Sequence, residues 1–206
     1  VVDFGCAECK ILTLIKTVKS LEKILLVDID DKLLQSREYC IRPSLEEFLH
    51  HRDNPLHIQL LAGSAAILDE RIMGVEAVTL VEVIEHLTDD ILTEVTENIF
   101  NNLHPRLVII TTPNSDFNVL FPNFTGCRHW DHKFEWSRKQ FQHWCDTVCC
   151  KYNYTVEITG IGEPPEHSQH VGFCSQAAIF TSLETNRQST QIPTVNYKLV
   201  CFDLYF

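Results

Sequence analysis

Short apolar runs alternate with stretches of helical periodicity along the first half of the chain. Each run ends at turn-forming or acidic residues, which favours buried strands over segments of longer helices. Strands that alternate with helices are typical of a parallel sheet covered on both faces. The pattern therefore predicts five strands, at residues 1–4, 23–27, 57–62, 75–83 and 107–112.

The second half of the chain predicts a capped helix and two more strands. Ser137 is expected to cap a helix whose apolar residues recur on one face. Strands at 152–160 and 171–181 give an antiparallel final pair. The fold predicted for residues 1–181 is α/β, a doubly wound, mostly parallel seven-stranded sheet with an antiparallel last strand. Residues 182–206 are interpreted as a polar linker and a C-terminal apolar segment of unknown role.

The composition is that of an ordinary globular protein, with 45% hydrophobic and 22% charged residues in 206. A formal net charge of −11 argues against broad electrostatic binding of nucleic acid, so such contacts must be local or assisted by a cation. No run approaches the ~18 apolar residues that a membrane span requires. Nine cysteines, most of them in apolar runs, favour reduced thiols in a cytosolic protein. The first residues lack a secretory signal and are interpreted as the trimmed start of a longer chain.

The first strand leads into a turn of small residues, Asp3-x-Gly5-x-Ala7. Such a strand-to-helix turn lets backbone N–H groups approach a cofactor closely. Asp28 follows the second strand, where a carboxylate is placed to accept hydrogen bonds from both hydroxyls of a ribose. Ser64 follows the third strand, and the same geometry places it beside an adenine; an ordinary turn serine is the alternative.

Two carboxylates and a histidine follow the fourth strand, in the segment Glu82-Val-Ile-Glu85-His86. If a helix begins directly after Glu82, the three side chains stand at i, i+3 and i+4 and converge on one face. Mixed oxygen and nitrogen ligands favour Mg²⁺ or Mn²⁺. A fourth ligand is expected from the aromatic loop before the capped helix, with His132 as the first candidate and His129 as the second. A surface helix start with acids in its first turn is the alternative.

Four motifs occur together in this sequence: Asp3-Phe-Gly-Cys-Ala7, Glu82-x-x-Glu85-His86, Thr112-Pro-Asn-Ser-Asp-Phe-Asn118 and Asp131-His-Lys-Phe-Glu-Trp136. Together they resemble the small-RNA 3'-terminal 2'-O-methyltransferases, over residues 1–180. The resemblance is specific, because the metal cluster and the His-Lys-Phe-Glu-Trp segment distinguish that family from other S-adenosylmethionine enzymes. It implies the class I S-adenosylmethionine-dependent methyltransferase fold and the animal form of the enzyme, which acts on single-stranded, piRNA-type substrates.

The resemblance also implies roles for single residues. S-adenosylmethionine is expected at the first turn and at the ends of the second and third strands, against Asp3, Gly5, Ala7, Asp28 and Ser64. A divalent cation, Mg²⁺ or Mn²⁺, is expected on Glu82, Glu85, His86 and His132. Ala7 departs from the glycine that is usual at its position.

The implied reaction is metal-dependent methyl transfer to the 2'-hydroxyl of the 3'-terminal nucleotide, which protects the RNA end. A bound cation lowers the pKa of that hydroxyl, and His86 or His132 is the candidate to accept its proton. An Argonaute- or PIWI-type protein that carries the RNA is the implied protein partner, in the cytoplasm and its RNA-processing granules. RNA contacts are expected from Asn114, Phe117, Arg128, Lys133 and Arg138, with Lys139, Phe134 and Trp136 as further candidates. Each aromatic residue is equally consistent with a place in the core.

Two other functions are consistent with the same sequence. A methyltransferase of this fold can act on a small-molecule or protein acceptor, with the carboxylate-histidine cluster serving only structure. Alternatively, the first turn with Ala7 is too degenerate to use the cofactor, and the domain binds RNA ends without catalysis.

Overall fold

Five parallel strands form the centre of the fold, as the alternation of apolar runs predicts. The computed structural model describes residues 1–49, 52, 54–184 and 194–205. The strands are β1 (Val2–Phe4), β2 (Lys23–Asp28), β3 (Leu56–Ala62), β4 (Ala77–Val81), β5 (Leu107–Pro113), β6 (Tyr154–Ile161), β7 (Ser175–Ser182) and β8 (Lys198–Tyr205). They lie in the order β6-β7-β5-β4-β1-β2-β3-β8. Strand β7 is antiparallel to both β5 and β6, and β8 is antiparallel to β3.

Both faces of the sheet are buried. Along β2, Leu25 and Val27 belong to one apolar core and Ile24 and Leu26 to another. Because successive strand residues point to opposite faces, these two cores lie on the two sides of the sheet. The structure thus confirms the predicted α/β class with a doubly wound, mostly parallel sheet.

The helices are short except for the one that the sequence predicts most clearly. Ser137 accepts the backbone N–H of Gln140, whose side chain returns to the Ser137 backbone, so the predicted cap is confirmed as a capping box. The helices are α1 (Leu12–Lys16), α2 (Asp31–Ser36), α3 (Leu45–Leu49), α4 (Asp89–Glu97) and α5 (Arg138–Tyr152). No helix of the described residues is both long enough and apolar enough to cross a membrane. All nine cysteines are free thiols.

The sheet has eight strands rather than the seven that were predicted, because the final apolar segment pairs with β3. Asp69 fixes the start of β8 by accepting the backbone N–H groups of Asn196 and Tyr197, both at 2.7 Å. The Tyr197 hydroxyl donates to the carbonyl of Ser64 at 2.9 Å, and its ring leaves no room for a side chain at Gly63. The added strand therefore supports the turn after β3. Residues 185–193 of the predicted polar linker lie outside the described residues.

The segment after β4 is not the single helix that the spacing of Glu82, Glu85 and His86 predicts. Glu82 has a positive φ of 55°, a left-handed conformation that no helix contains. A short 3₁₀ turn (Ile84–His86) follows, then α4, and the last turn widens into a π-helix (Asn98–Leu103). The predicted i, i+3, i+4 geometry is therefore wrong, because the strained backbone at Glu82 breaks the helical repeat.

Candidate active site

The candidate site lies at the carboxyl ends of the parallel strands. These ends meet at one edge of the sheet, where ligands bind in doubly wound folds. Gly5 follows β1, Asp28 ends β2, Ser64 follows β3 and Glu82 follows β4. The topology therefore brings the predicted cofactor turn and the predicted metal cluster to the same edge.

The turn after β1 is shaped by close packing against the segment after β4. Gly5 has φ of +70°, and the Val83 side chain occupies the space that a Cβ would need. Glycine is therefore required at this position for two reasons: it adopts a positive φ without strain, and it has no side chain to collide with Val83. Ala7 also has a positive φ, of 42°, and its N–H donates to the Asp28 carboxylate at 2.9 Å. The other Asp28 oxygen accepts the Asp30 N–H at 2.9 Å.

Asp3, in the strand before this turn, is a buried acid with one carboxylate oxygen that lacks a hydrogen-bond partner among the described residues. The Thr79 hydroxyl donates to Oδ1 of Asp3 at 2.7 Å, while Oδ2 has no hydrogen-bond partner within the described parts of the chain. Burial, with a smaller contribution from the nearby charge of Asp28, outweighs the Thr79 hydrogen bond and raises the pKa of Asp3 to about 7. A cationic ligand would stabilise the ionised form. This environment fits the positively charged methionine portion of S-adenosylmethionine.

Ser64 occupies the turn after β3, as predicted. Its hydroxyl oxygen accepts the N–H of Ala66 at 3.2 Å, which is the contact of an ordinary turn serine. Its carbonyl is held by Tyr197 of β8. The contact with an adenine stays a prediction.

Glu82 and Glu85 are held by two consecutive threonines of β5. Glu82 accepts the Thr111 hydroxyl at 2.8 Å and, more weakly, the Ser175 hydroxyl at 3.3 Å. Glu85 accepts the Thr112 hydroxyl at 2.9 Å. The predicted motifs included Thr112 but gave it no role, and Thr111 was missed because a threonine inside a strand usually signals only β propensity.

Glu85, like Asp3, is a buried acid of the site with one oxygen unused. Its side chain is fully buried, and Oε1 has no hydrogen-bond partner among the residues that the structure describes. Burial raises the pKa of Glu85 to about 7, and the neighbouring charges of Glu82 and Glu135 add to the shift. An unpartnered buried carboxylate is costly unless a ligand completes its contacts.

Two imidazoles are oriented by carboxylates. Nδ1 of His86 donates to Asp131 at 3.1 Å, and Nδ1 of His132 donates to Glu135 at 2.6 Å. In the neutral form each ring therefore carries its proton on Nδ1 and its lone pair on Nε2, the arrangement common to histidines that bind metals. Burial opposes ionisation of Glu135, but hydrogen bonds from the Arg128 backbone, Asn118 and His132 outweigh it and lower its pKa. Asp131 and Glu135 stand in a quoted motif, yet their supporting role was missed because sequence spacing does not show which rings they meet.

The ring of His129 lies close to those of His86 and His132. Among the described residues, His86, His129 and His132 form the group whose potential ligand atoms all lie within 4.8 Å of one another. Glu82 and Glu85 are outside that group, so the predicted set of two carboxylates and two histidines is not preassembled at this spacing. The Asp131 N–H donates to Nδ1 of His129 at 3.2 Å. A neutral His129 then carries its proton on Nε2, which favours His132 over His129 as a nitrogen ligand.

The donor set fits a divalent cation. Glu85 offers an unused buried oxygen, and His86 and His132 offer oriented nitrogen lone pairs. A positive charge here would offset the repulsion among the carboxylates that raises the pKa of Glu85.

Three residues predicted to contact RNA are used inside the protein. Asn114 is 1% exposed, and its amide donates to the carbonyls of Val171 and Phe173. The Arg128 guanidinium donates to Asn118, to the Asn114 carbonyl and to the Cys174 sulfur. Phe117 is also buried, with the Arg128 guanidinium over its ring. These side chains make their contacts within the protein and stabilise the loop after β5.

Of the other predicted cations at the surface, Lys133 and Arg138 are already paired. Lys133 contacts Asp131 at 3.0 Å, and Arg138 contacts Asp116 at 3.0 Å. Arg138 borders an open cavity of about 1040 Å³ that Lys139 also lines. Phe134 and Trp136 stack on each other, with ring centroids 4.3 Å apart, and pack against the core.

Known proteins are similar to this chain over most or all of its length. The chain is 40% identical over 205 residues to a "Small RNA 2'-O-methyltransferase" of Xenopus tropicalis, an alignment that covers 100% of this chain and 54% of the relative. It is 44% identical over 186 residues to a protein of the same name from Drosophila melanogaster, covering 87% and 48% of the two chains. This chain therefore spans about half the length of the curated relatives it matches. No protein-family model matches it.

A solved structure shares the fold. The crystal structure of the methyltransferase domain of bacterial CtHen1 superposes with a TM-score of 0.70 at 34% identity, and the alignment covers 88% of each chain. Its similarity confirms the predicted class I methyltransferase fold.

Proposed function

This chain belongs to the small RNA 2'-O-methyltransferase family, and we propose that it methylates the 2'-hydroxyl of the 3'-terminal nucleotide of small single-stranded RNA, with S-adenosylmethionine and a divalent cation. The observation that carries the proposal is Glu85, a fully buried carboxylate with an unused oxygen, in the same short turn as His86, whose ring Asp131 orients. A second support is that Gly5 and Glu82 follow neighbouring parallel strands, at the same edge of the sheet.

The protein groups divide into two sets. Glu82, Glu85, His86 and His132 would hold the cation, which when bound lowers the pKa of the 2'-hydroxyl. Asp28 would accept hydrogen bonds from the ribose of S-adenosylmethionine, and Asp3 would stabilise its positively charged portion.

His86 and His132 are also the candidates to accept the hydroxyl proton. Asp131 and Glu135 accept a hydrogen bond from Nδ1 of the two rings, so a ring whose Nε2 does not bind the cation would accept the proton there. Excess Mn²⁺ separates the two roles, since it should restore a His→Ala variant that has lost only cation affinity. A variant that has lost the proton acceptor should stay inactive at saturating Mn²⁺.

The proposal extends to partners and place. An Argonaute- or PIWI-type protein that presents the RNA, and a cytoplasmic site of action in RNA-processing granules, stay predictions from the family resemblance. Labelled RNA-carrying Argonaute complexes offered to this protein would test the first.

The direct test is methyl transfer from labelled S-adenosylmethionine to a short single-stranded RNA with three 3' ends: a free diol, a 3'-phosphate and a 2'-deoxy end. We expect incorporation only at the diol end, with Mg²⁺ or Mn²⁺ and not with a chelator. Equal activity on the 3'-phosphate end, or full activity after chelation, would overturn the proposal. Cofactor binding without methylation of any RNA would instead favour another acceptor or an end-binding module.

A further inference from the structure

Among the side chains that the structure describes, Trp130 is the most exposed large apolar one, with 88% of its surface accessible. It lies between His129 and Asp131, in a turn closed by the His132 N–H donating to the His129 carbonyl at 3.2 Å. Tryptophan is highly buried on average, so an almost fully exposed indole makes no packing contribution that explains it. The exposed indole of Trp130 is therefore better explained by binding of a ligand than by packing in the core.

The turn that carries Trp130 is anchored to the candidate site from both sides. The Lys133 N–H donates to the Glu85 carbonyl at 2.7 Å, and Asp131 accepts from His86 at 3.1 Å. The indole centroid lies 5.4 Å from the His129 ring. The backbone therefore holds Trp130 next to His129, one of the three grouped imidazoles, while its side chain is exposed to solvent.

The other two tryptophans provide a contrast. Trp136 stacks on Phe134, Trp144 contacts Phe141 and Phe180, and both tryptophans pack against the larger core. The aromatic residues that the sequence predicts to contact RNA, Phe117, Phe134 and Trp136, are therefore used for folding. Trp130 was not nominated, and it alone of the three presents its rings to solvent.

We propose that the indole of Trp130 stacks on the base of the 3'-terminal nucleotide, the one whose ribose is methylated. This rests on the proposed function, because a ribose at the imidazoles places its own base within reach of a ring 5.4 Å from His129. Stacking accepts every base, since each base has a flat π face. The contact thus binds an RNA end without selecting a sequence, with a modest preference for the larger purines.

The charges of the loop favour stacking over phosphate contacts. Lys133 and Arg138 are each paired with an aspartate, and the Arg128 guanidinium is used inside the loop. The whole chain carries a net charge of −11, which repels the RNA backbone. Aromatic stacking gains affinity without any positive charge, so this part of the binding should not weaken as salt concentration rises.

The test is a double-mutant cycle between the protein and the RNA end. Wild-type protein, Trp130→Ala and Trp130→Phe each bind a diol-ended RNA whose last nucleotide either has its base or is abasic. We expect Trp130→Ala to weaken binding of the complete RNA about tenfold, to leave the abasic RNA unaffected, and to lose the purine preference. Trp130→Phe should retain most of the affinity, because a phenyl ring still stacks. Phe202→Ala is the matched control, an exposed aromatic on β8 at the edge of the sheet.

Equal losses for the complete and abasic RNAs, or coupling only to the penultimate base, would overturn the stacking assignment. The binding measurement needs no methyl transfer, so its outcome is separate from that of the proposed reaction. If the diol end is methylated but Trp130 and the terminal base show no coupling, only the stacking inference is contradicted. Coupling at the terminal base without methylation supports the stacking contact and removes only the reaction.

Discussion

Asp69 and Glu85 are both fully buried carboxylates, yet their surroundings are opposite. Asp69 accepts three hydrogen bonds from Arg71, at 2.7 to 2.9 Å, and two more from the Asn196 and Tyr197 backbone. These bonds outweigh the effect of burial and hold the pKa of Asp69 well below its usual range. Glu85 accepts the Thr112 hydroxyl, keeps one oxygen unused, and has its pKa raised to about 7, mainly by burial.

The difference separates a structural acid from a functional one. The partners of Asp69 all belong to the protein, so its charge is stabilised by folding alone and fixes β8 to the sheet. Glu85 is incomplete within the protein, and a cation from outside would supply what is missing. Burial by itself therefore does not mark a site; an unsatisfied buried charge beside oriented ligands does.

The largest expected effect is on catalysis by Glu85→Gln. We expect methyl transfer to fall by about 1,000-fold, because the cation loses a charged ligand and with it several kcal/mol of transition-state stabilisation. Thermal unfolding of the same variant in chelator should be unchanged or shifted upward, since an uncompensated buried charge is gone. A Glu85→Gln protein that is fully active would remove Glu85 from the site.

Asp69→Asn should do the reverse. Removing one partner of a buried ion pair leaves Arg71 uncompensated, so we expect the free energy of unfolding to fall by about 3 kcal/mol. Chemical denaturation measures this loss of stability. The rate of methyl transfer, measured where the variant is folded, should stay close to that of the wild type. A variant with normal stability would show that β8 is not held by this carboxylate.

The pH dependence of stability should have opposite signs for the two acids. Unfolded Glu85 ionises near pH ~4.3 and the folded protein keeps its proton until about pH 7, so its contribution falls as pH rises between these values. Unfolded Asp69 ionises near pH ~3.9 and the folded protein below that, so its contribution is complete above pH ~4 and lost in acid. Unfolding free energies of wild type minus each variant, measured in chelator from pH 3 to pH 8, report the two slopes. Slopes of the same sign would contradict the comparison.

The smallest expected effect is at the first turn, where Ala7 has a φ of 42°. Ala7→Gly should raise the free energy of unfolding by about 1 kcal/mol, because a left-handed backbone strains alanine and not glycine. The pH dependence of the unfolding free energy that Asp69 and Glu85 contribute should keep its two opposite signs in this variant. A loss of stability on this substitution would show that the turn is not strained.

Much of the fold follows from local sequence, and the rest depends on contacts between distant segments. The strands β1 to β5 and the Ser137 cap are predicted because apolar runs and capping residues act over a few positions. Strand β8 was missed because its place depends on pairing with β3, far away in the sequence. The helix predicted after Glu82 failed because a left-handed residue leaves no signal in residue type.

The site shows the same division. Sequence spacing points to Glu82, Glu85, His86 and His132, which the strand ends bring to one edge of the sheet. It could not show that Asp131 and Glu135 orient the two rings, since those contacts depend on how the loop folds back. For the same reason it could not show that Arg128 is used internally while Trp130 is exposed.

The account depends most on the claim that Glu85 and the oriented imidazoles hold a divalent cation. Titration of the protein with Mn²⁺, followed by the electron paramagnetic resonance of free Mn²⁺, measures this without RNA or cofactor. We predict one bound Mn²⁺ per wild-type and Asp69→Asn chain, and binding at least about tenfold weaker for Glu85→Gln and His132→Ala. Unchanged Mn²⁺ affinity in both site variants would contradict the account.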